Sequence, residues 1–155
     1  MDDYTSKTKF SLGDIQKILP HRYPLLLVDR IIEIVPGESI IAIKNITFNE
    51  PYFQGHFPGQ PVLPGVYVIE FIAQTGAFLL LKTLDNPLEK NAFISSVDGL
   101  RFRRTIIPGD QVRIEVTIAK RKLNICRFHG RIFVEDKLMA EGYVSANIVD
   151  RVSNQ

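Results

Sequence analysis

The sequence predicts an α+β fold, a curled antiparallel β-sheet wrapped around one long central α-helix. Three observations lead there. Residues 65–84 form a single stretch that is apolar on nearly every side, the pattern of a helix buried all round. Residues 111–120 and 125–134 alternate apolar and polar side chains, the period of strands with one buried face. Turn signals at Pro36-Gly37, Pro108-Gly109-Asp110 and Glu135-Asp136 separate the strand-forming runs. A sheet that curls around a single helix satisfies all three.

Each element follows in chain order. Leu12–Leu19 reads as a short helix: Ser11 caps it, Asp14 lies in its first turn and Pro20 stops it. Leu25–Val35 is β-rich and leads through Pro36-Gly37 into the strand-forming ESIIAIKNITF. A Gly- and Pro-rich loop occupies residues 50–64. Pro64 suits the first helical position, where its missing N–H costs nothing, and the helix then runs from Gly65 to Leu84. After the linker DNPLEKN the chain turns strand-rich. Val112, Ile114, Val116 and Ile118 mark one core-facing row. Cys126, Phe128, Ile132 and Val134 mark the next, with Arg127, His129 and Arg131 on the opposite face. Leu138–Val149 returns as another strand. The 155 residues suit one domain, 1–155, with residues 1–10 and 150–155 as flexible ends.

Composition removes several functions. The single cysteine, Cys126, forms no internal disulfide, and no His/Cys cluster has ligand spacing, so no metal site is expected. That usage suits a reducing compartment. The polar start MDDYTSKTKFSLGD lacks the charged and apolar regions of a secretory signal, so a cytoplasmic protein is expected. Glu70, Gln74, Thr75 and Lys82 interrupt the long helix, which excludes a membrane span. There is no phosphate-binding Gly-rich loop, no HExxH and no GxSxG. Residues 101–131 hold nine Arg and Lys against only Asp110 and Glu115, which points to an acidic partner. A solvated sheet face accounts for the same excess. Apart from Phe102 and Phe128 the basic stretch has no interleaved aromatics, which argues against nucleic acid.

The chemistry centres on the stretch NEPYFQGHFPGQPVLPGVYVIEFIAQ, residues 49–74. His56 sits in the loop. An imidazole titrates near about 6.5, which suits a general base. Glu70 lies a turn and a half inside the apolar helix, where desolvation favours the protonated form of a carboxyl, a general acid. The helix N-terminus at Gly65 offers free N–H groups to a developing oxyanion, and glycine there permits close approach. Gln74, four residues beyond Glu70, shares its face. Base, acid and oxyanion donors together fit proton abstraction beside a carbonyl followed by loss of a β-leaving group, a reaction that needs no cofactor. Each residue also has a plainer role: a loop histidine, a paired helix glutamate, a glutamine satisfying a buried hydrogen bond. His21 and His129 read as structural only.

At these residues the chain resembles the 3-hydroxyacyl-[acyl-carrier-protein] dehydratases of bacterial type II fatty acid synthesis. The likeness rests on LPHRYPLLLVDR (19–30), NEPYFQGHFPGQPVLPGV (49–66), IEFIAQ (69–74) and LRFRRTIIPGDQ (100–111), in the family's order and spacing. It implies a hot-dog fold and a homodimer, often a trimer of dimers, with each active site shared between subunits. It implies His56 and Glu70 as catalytic residues and Gly65, Val66, Phe57, Pro58, Phe71 and Gln74 around the substrate. The substrate would be a (3R)-hydroxyacyl chain on the phosphopantetheine arm of acyl carrier protein, dehydrated to the trans-2-enoyl thioester. Arg101, Arg103, Arg104, Lys120, Arg121 and Lys122 are then the expected carrier-protein contacts. Phe71, Tyr67, Thr105 and Ser96 depart from the family pattern, and the bulk of Phe71 and Tyr67 bears on acyl-chain length. The alternatives are another hot-dog thioester enzyme, a hydratase or thioesterase, or a non-catalytic subunit that binds acyl carrier or acyl chain.

Overall fold

The structure, a computed structural model, describes residues 6–152. Of the expected loose ends, residues 1–5 and 153–155 lie outside the described residues. Phe10 does not behave as part of a loose end: it is buried and bridges Ile31 through two backbone bonds of 3.0 Å.

Ser11 caps the first helix, α1 (Leu12–Ile15), through a capping box in which its hydroxyl and the Asp14 carboxylate serve each other's backbone N–H. The helix is shorter than the expected Leu12–Leu19. Beyond Gln16 two bonds tighten to three-residue spacing, Lys17 to Asp14 and Ile18 to Ile15, before Leu19 bonds back to Ile15. Strand β1 (Arg30–Val35) is also shorter than the apolar run Leu25–Val35. The reason is the Gln74 side chain, which takes the backbone N–H of Leu27 and the carbonyl of Leu25. Those groups would otherwise belong to a strand ladder.

Strand β2 (Ser39–Asn45) follows the Pro36-Gly37 turn, where Gly37 has a positive φ. A 3₁₀ turn, Pro51–Gln54, lies in the loop before the long helix α2 (Gly65–Leu81). Pro64 is the N-cap of α2 with extended backbone, so the first helical position belongs to Gly65 and not to the proline. Turn bonds carry the chain on to Leu84. Strands β3 (Lys90–Phe102), β4 (Gln111–Lys122), β5 (Ile125–Val134) and β6 (Lys137–Asp150) complete a six-stranded antiparallel sheet in the order β1-β2-β4-β5-β6-β3.

The helix lies across this sheet, and residues Phe71 to Leu81 are all buried. The alternation read from β4 and β5 holds: Val112, Ile114, Val116, Cys126, Phe128, Ile132 and Val134 face the core, with Ile118 half-buried beside them. Two glycines set the closeness of helix and sheet. A Cβ on Gly130 would meet Ile72 at 2.4 Å, and one on Gly76 would meet the Phe128 ring at 2.8 Å. The helix rides on β5 at a separation that only glycine allows at these points.

Candidate active site

His56 is held by the chain on both sides of it. Its backbone N–H donates to Tyr52 O at 3.0 Å and its carbonyl accepts Val62 N–H at 2.9 Å. Its Nδ1 lies 2.7 Å from Val62 O. A carbonyl oxygen only accepts, so Nδ1 carries the hydrogen, and in the neutral ring Nε2 keeps its lone pair. Phe57 stacks on the imidazole at 4.0 Å between centroids. The turn between them closes with reciprocal backbone bonds of 2.9 Å between Phe57 and Gln60. This small loop presents an oriented imidazole.

Glu70 is placed by α2 and gripped by a neighbour one turn on. Gln74 Nε2 donates to Glu70 Oε1 at 2.8 Å and to Leu25 O at 2.6 Å, while its oxygen accepts Leu27 N–H at 2.9 Å. Gln74 is fully buried and its amide is used on both sides, the role of hydrogen-bond satisfier combined with contact to Glu70. Glu70 itself is not enclosed as expected: its side chain is 22 % exposed.

The residue that sequence reading set aside is His21. Its Nε2 lies 3.6 Å from Glu70 Oε1, its Nδ1 is buried without a hydrogen-bond partner, and its side chain is 17 % exposed. Burial pushes this imidazole below its ordinary value, Glu70 pulls it back up, and Arg22 adds to the lowering. Arg22 also ties the turn together, donating to the carbonyls of Gln16, Leu19 and His21. No local spacing could have found the pair, because 49 residues separate His21 from Glu70 in the chain.

Within one chain no hydrogen bond, ion pair or ring contact joins His56 to Glu70. The α2 N-terminus has no side-chain cap, which leaves its first N–H groups for an external acceptor. The close approach expected at Gly65 is made by Phe102, whose ring would meet a Cβ there at 2.8 Å. Gly65, Phe102, Val62, Leu63 and Arg104 line a cleft of about 360 Å³. Val66 is exposed beside it, and Phe71 lies fully buried in the core. Phe57 lines a second cleft of about 470 Å³ with Phe48, Phe53 and Pro61, and Pro58 is exposed in the same loop.

The basic residues divide. Arg103 pairs with Glu141, Arg113 with Glu115 and Asp136, Arg131 with Glu115 and Arg127 with Asp98. Arg101, Arg104, Lys120, Arg121 and Lys122 have no acidic partner among the described residues. Arg104 lies by Gly65 at the start of α2. Arg121 borders a cleft with Leu80 and Leu84 at the helix's other end, roughly 25 Å away by helix rise. Among the described residues no group of three His, Cys, Asp or Glu could hold a metal, and no helix is long and apolar enough to cross a membrane.

A curled sheet on one buried helix, with a histidine loop at the helix start and a carboxylate in its second turn, defines a hot-dog protein. Its fold is that of the dehydratase heterocomplex ApeI:P from Xenorhabdus doucetiae, with a TM-score of 0.76, 15% identity and coverage of 88% of this chain and 91% of that one. A thioesterase superfamily member from Thermus thermophilus matches with a TM-score of 0.61, 20% identity and coverage of 76% and 85%. The family described as FabA-like domain matches residues 19–143. The 3-hydroxyacyl-[acyl-carrier-protein] dehydratase FabZ of Koribacter versatilis is 49% identical over 94% of both chains. That of Thermomicrobium roseum is 51% identical over 88% of this chain and 91% of its own. The chain belongs to the FabA-like 3-hydroxyacyl-[acyl-carrier-protein] dehydratase family, a family of lyases.

Proposed function

We propose that this protein dehydrates (3R)-hydroxyacyl-[acyl-carrier-protein] to the trans-2-enoyl thioester in fatty acid elongation, with His56 as base and Glu70 as acid. The observation that carries the reading is the His56 Nδ1–Val62 O bond of 2.7 Å, which leaves Nε2 free to accept a proton. Nε2 takes the proton from C2 of the substrate. The C2 electron pair forms the C2–C3 double bond as the C3–O bond breaks, and Glu70 gives its proton to the departing hydroxyl, which leaves as water. The Gly65 N–H polarises the thioester carbonyl meanwhile. Val66, Phe57, Pro58, Phe71 and Gln74 complete the surroundings of the substrate in this reading.

The site is shared between two copies, His56 from one and Glu70 from the other. Two observations support this: the absence of any contact between them within one chain, and the state of β3. That strand is one of the two sheet edges, thirteen residues long, with Phe93, Ile94 and Val97 exposed along it. An open apolar edge of this length is a template for pairing with a second copy. Further assembly into a trimer of dimers follows the resemblance. The unpaired Arg104, which lines the Gly65 cleft, serves the acidic carrier protein, with Arg101 and Arg103 near it in the chain. Lys120, Arg121 and Lys122 are a second candidate surface at the other end of α2. Free, buried Cys126 suits the cytoplasm assigned from the sequence.

A spectrophotometric dehydration assay with a 3-hydroxyacyl thioester tests the reading. His56→Ala and Glu70→Gln each lower turnover by about 10²–10⁴-fold. Full activity in either variant overturns that residue's role. A wild type that binds carrier protein tightly without dehydrating substrate establishes the binding-subunit alternative instead.

A further inference from the structure

We propose that Lys44 is a positioning residue for His56, acting through Glu50; the inference rests on the reading of His56 as the base. The core-facing row of β2 runs Ile40, Ala42, Lys44, and all three are buried. An ammonium at the end of that row is costly unless it is paired. It is paired from two directions. Lys44 Nζ lies 3.4 Å from Asp29 Oδ2 and 3.5 Å from Glu50 Oε1, and its side chain is only 8 % exposed.

The two carboxylates belong to different parts of the fold. Asp29 is anchored to the sheet: it accepts the Asn45 N–H at 2.7 Å, and its own N–H donates to Ile43 O at 2.9 Å. Glu50 opens the loop that carries His56. It is the N-cap of the 3₁₀ turn Pro51–Gln54, and its carbonyl accepts the Phe53 N–H at 3.2 Å. Within that turn Tyr52 O accepts the N–H groups of Gly55 and His56. The ammonium therefore links the rigid β1–β2 sheet to the base of the loop six residues before the imidazole.

Stability does not require this arrangement. Apolar replacement of a buried charge cluster is commonly neutral or stabilising. What an apolar side chain cannot provide is an opposite charge that fixes Glu50 and, through the turn behind it, the direction of His56 Nε2. A misplacement of about 1 Å at a reacting group can cost on the order of 10²-fold in rate.

The test uses the full-length chain and three variants, Glu50→Gln, Lys44→Met and Lys44→Met/Glu50→Gln, with His56→Ala alongside. Turnover and KM for a 3-hydroxyacyl thioester are measured together with thermal unfolding. We expect Glu50→Gln to lower kcat by roughly 10- to 100-fold with KM nearly unchanged, and its Tm to stay within about 4 °C of wild type. Lys44→Met alone loses both stability and kcat. The double variant regains part of the lost Tm, Asp29 alone remaining without its counter-charge, and regains no kcat. Wild-type kcat in folded Glu50→Gln, or kcat that returns with Tm in the double variant, overturns the proposal while leaving His56 as the base. Full activity in His56→Ala removes the base itself, and the positioning role with it.

Discussion

Gln74 donates to the Glu70 carboxylate at 2.8 Å while the same side chain holds the backbone of Leu25 and Leu27. One buried amide thus fixes the proposed acid and the segment that covers it. Replacing Gln74 with Leu leaves the Leu27 N–H and Leu25 carbonyl unpaired, each in the range of about 1–3 kcal/mol when buried. Urea unfolding of Gln74→Leu therefore shows a lower midpoint, and dehydration by the variant falls at least about ten-fold as Glu70 loses its donor. Wild-type values of both would show that the amide is dispensable.

The shared-site reading makes a prediction that a single-chain site does not. His56→Ala and Glu70→Ala chains are each inactive, yet mixed subunits combine the intact His56 of one with the intact Glu70 of the other. Refolding the two together restores about a quarter of wild-type activity, because half the dimers are mixed and each has one whole site. No recovery in demonstrably mixed dimers would place both residues in one subunit's site.

His21 ties stability to pH. An unfolded histidine titrates near about 6.5, and in the folded chain burial holds His21 lower, with Glu70 opposing and Arg22 reinforcing the shift. Between those two values the unfolded chain binds more protons, so the His21 contribution weakens the fold as pH drops below about 6.5 and is absent above it. Thermal unfolding of His21→Asn should lose less between neutral and mildly acidic pH than the wild type does. Parallel curves for the two proteins would refute this.

Two glycines separate packing from access. At Gly130 a methyl group would press on buried Ile72 from 2.4 Å, so Gly130→Ala destabilises by about 1–3 kcal/mol. At Gly65 the obstacle is the Phe102 ring, which is 55 % exposed and free to swing outward. Gly65→Ala keeps a Tm within about 4 °C of wild type but raises KM, since the added methyl group narrows the cleft that Gly65 lines with Val62 and Arg104. Calorimetry and steady-state kinetics on the two variants distinguish these effects.

Phe71 is fully buried in the core. Phe71→Ala would cost about 3–5 kcal/mol, so Phe71→Leu is the better probe of acyl-chain length. With less bulk behind the helix turn that carries Glu70, turnover shifts toward longer acyl chains. An identical chain-length profile would remove Phe71 from the substrate's path.

The sequence by itself determined the strands β4 to β6, the long helix and the resemblance that points to His56 and Glu70. These depend on periodicity and spacing between near neighbours, where burial of alternate or all-round side chains leaves a direct trace. It overextended Leu25–Val35 because composition there favours a strand, while the hydrogen bonds come from Gln74, 47 and 49 residues away. It set His21 aside for the same reason, although Lys44 could have been noticed as the one charge on the inward phase of β2. The tertiary structure alone decided that Glu70 sits between Gln74 and His21, that Phe102 covers Gly65, and that His56 and Glu70 stay out of contact within one chain. Those relationships arise when the sheet curls over the helix and brings distant segments together, and a one-dimensional pattern carries no term for such pairs.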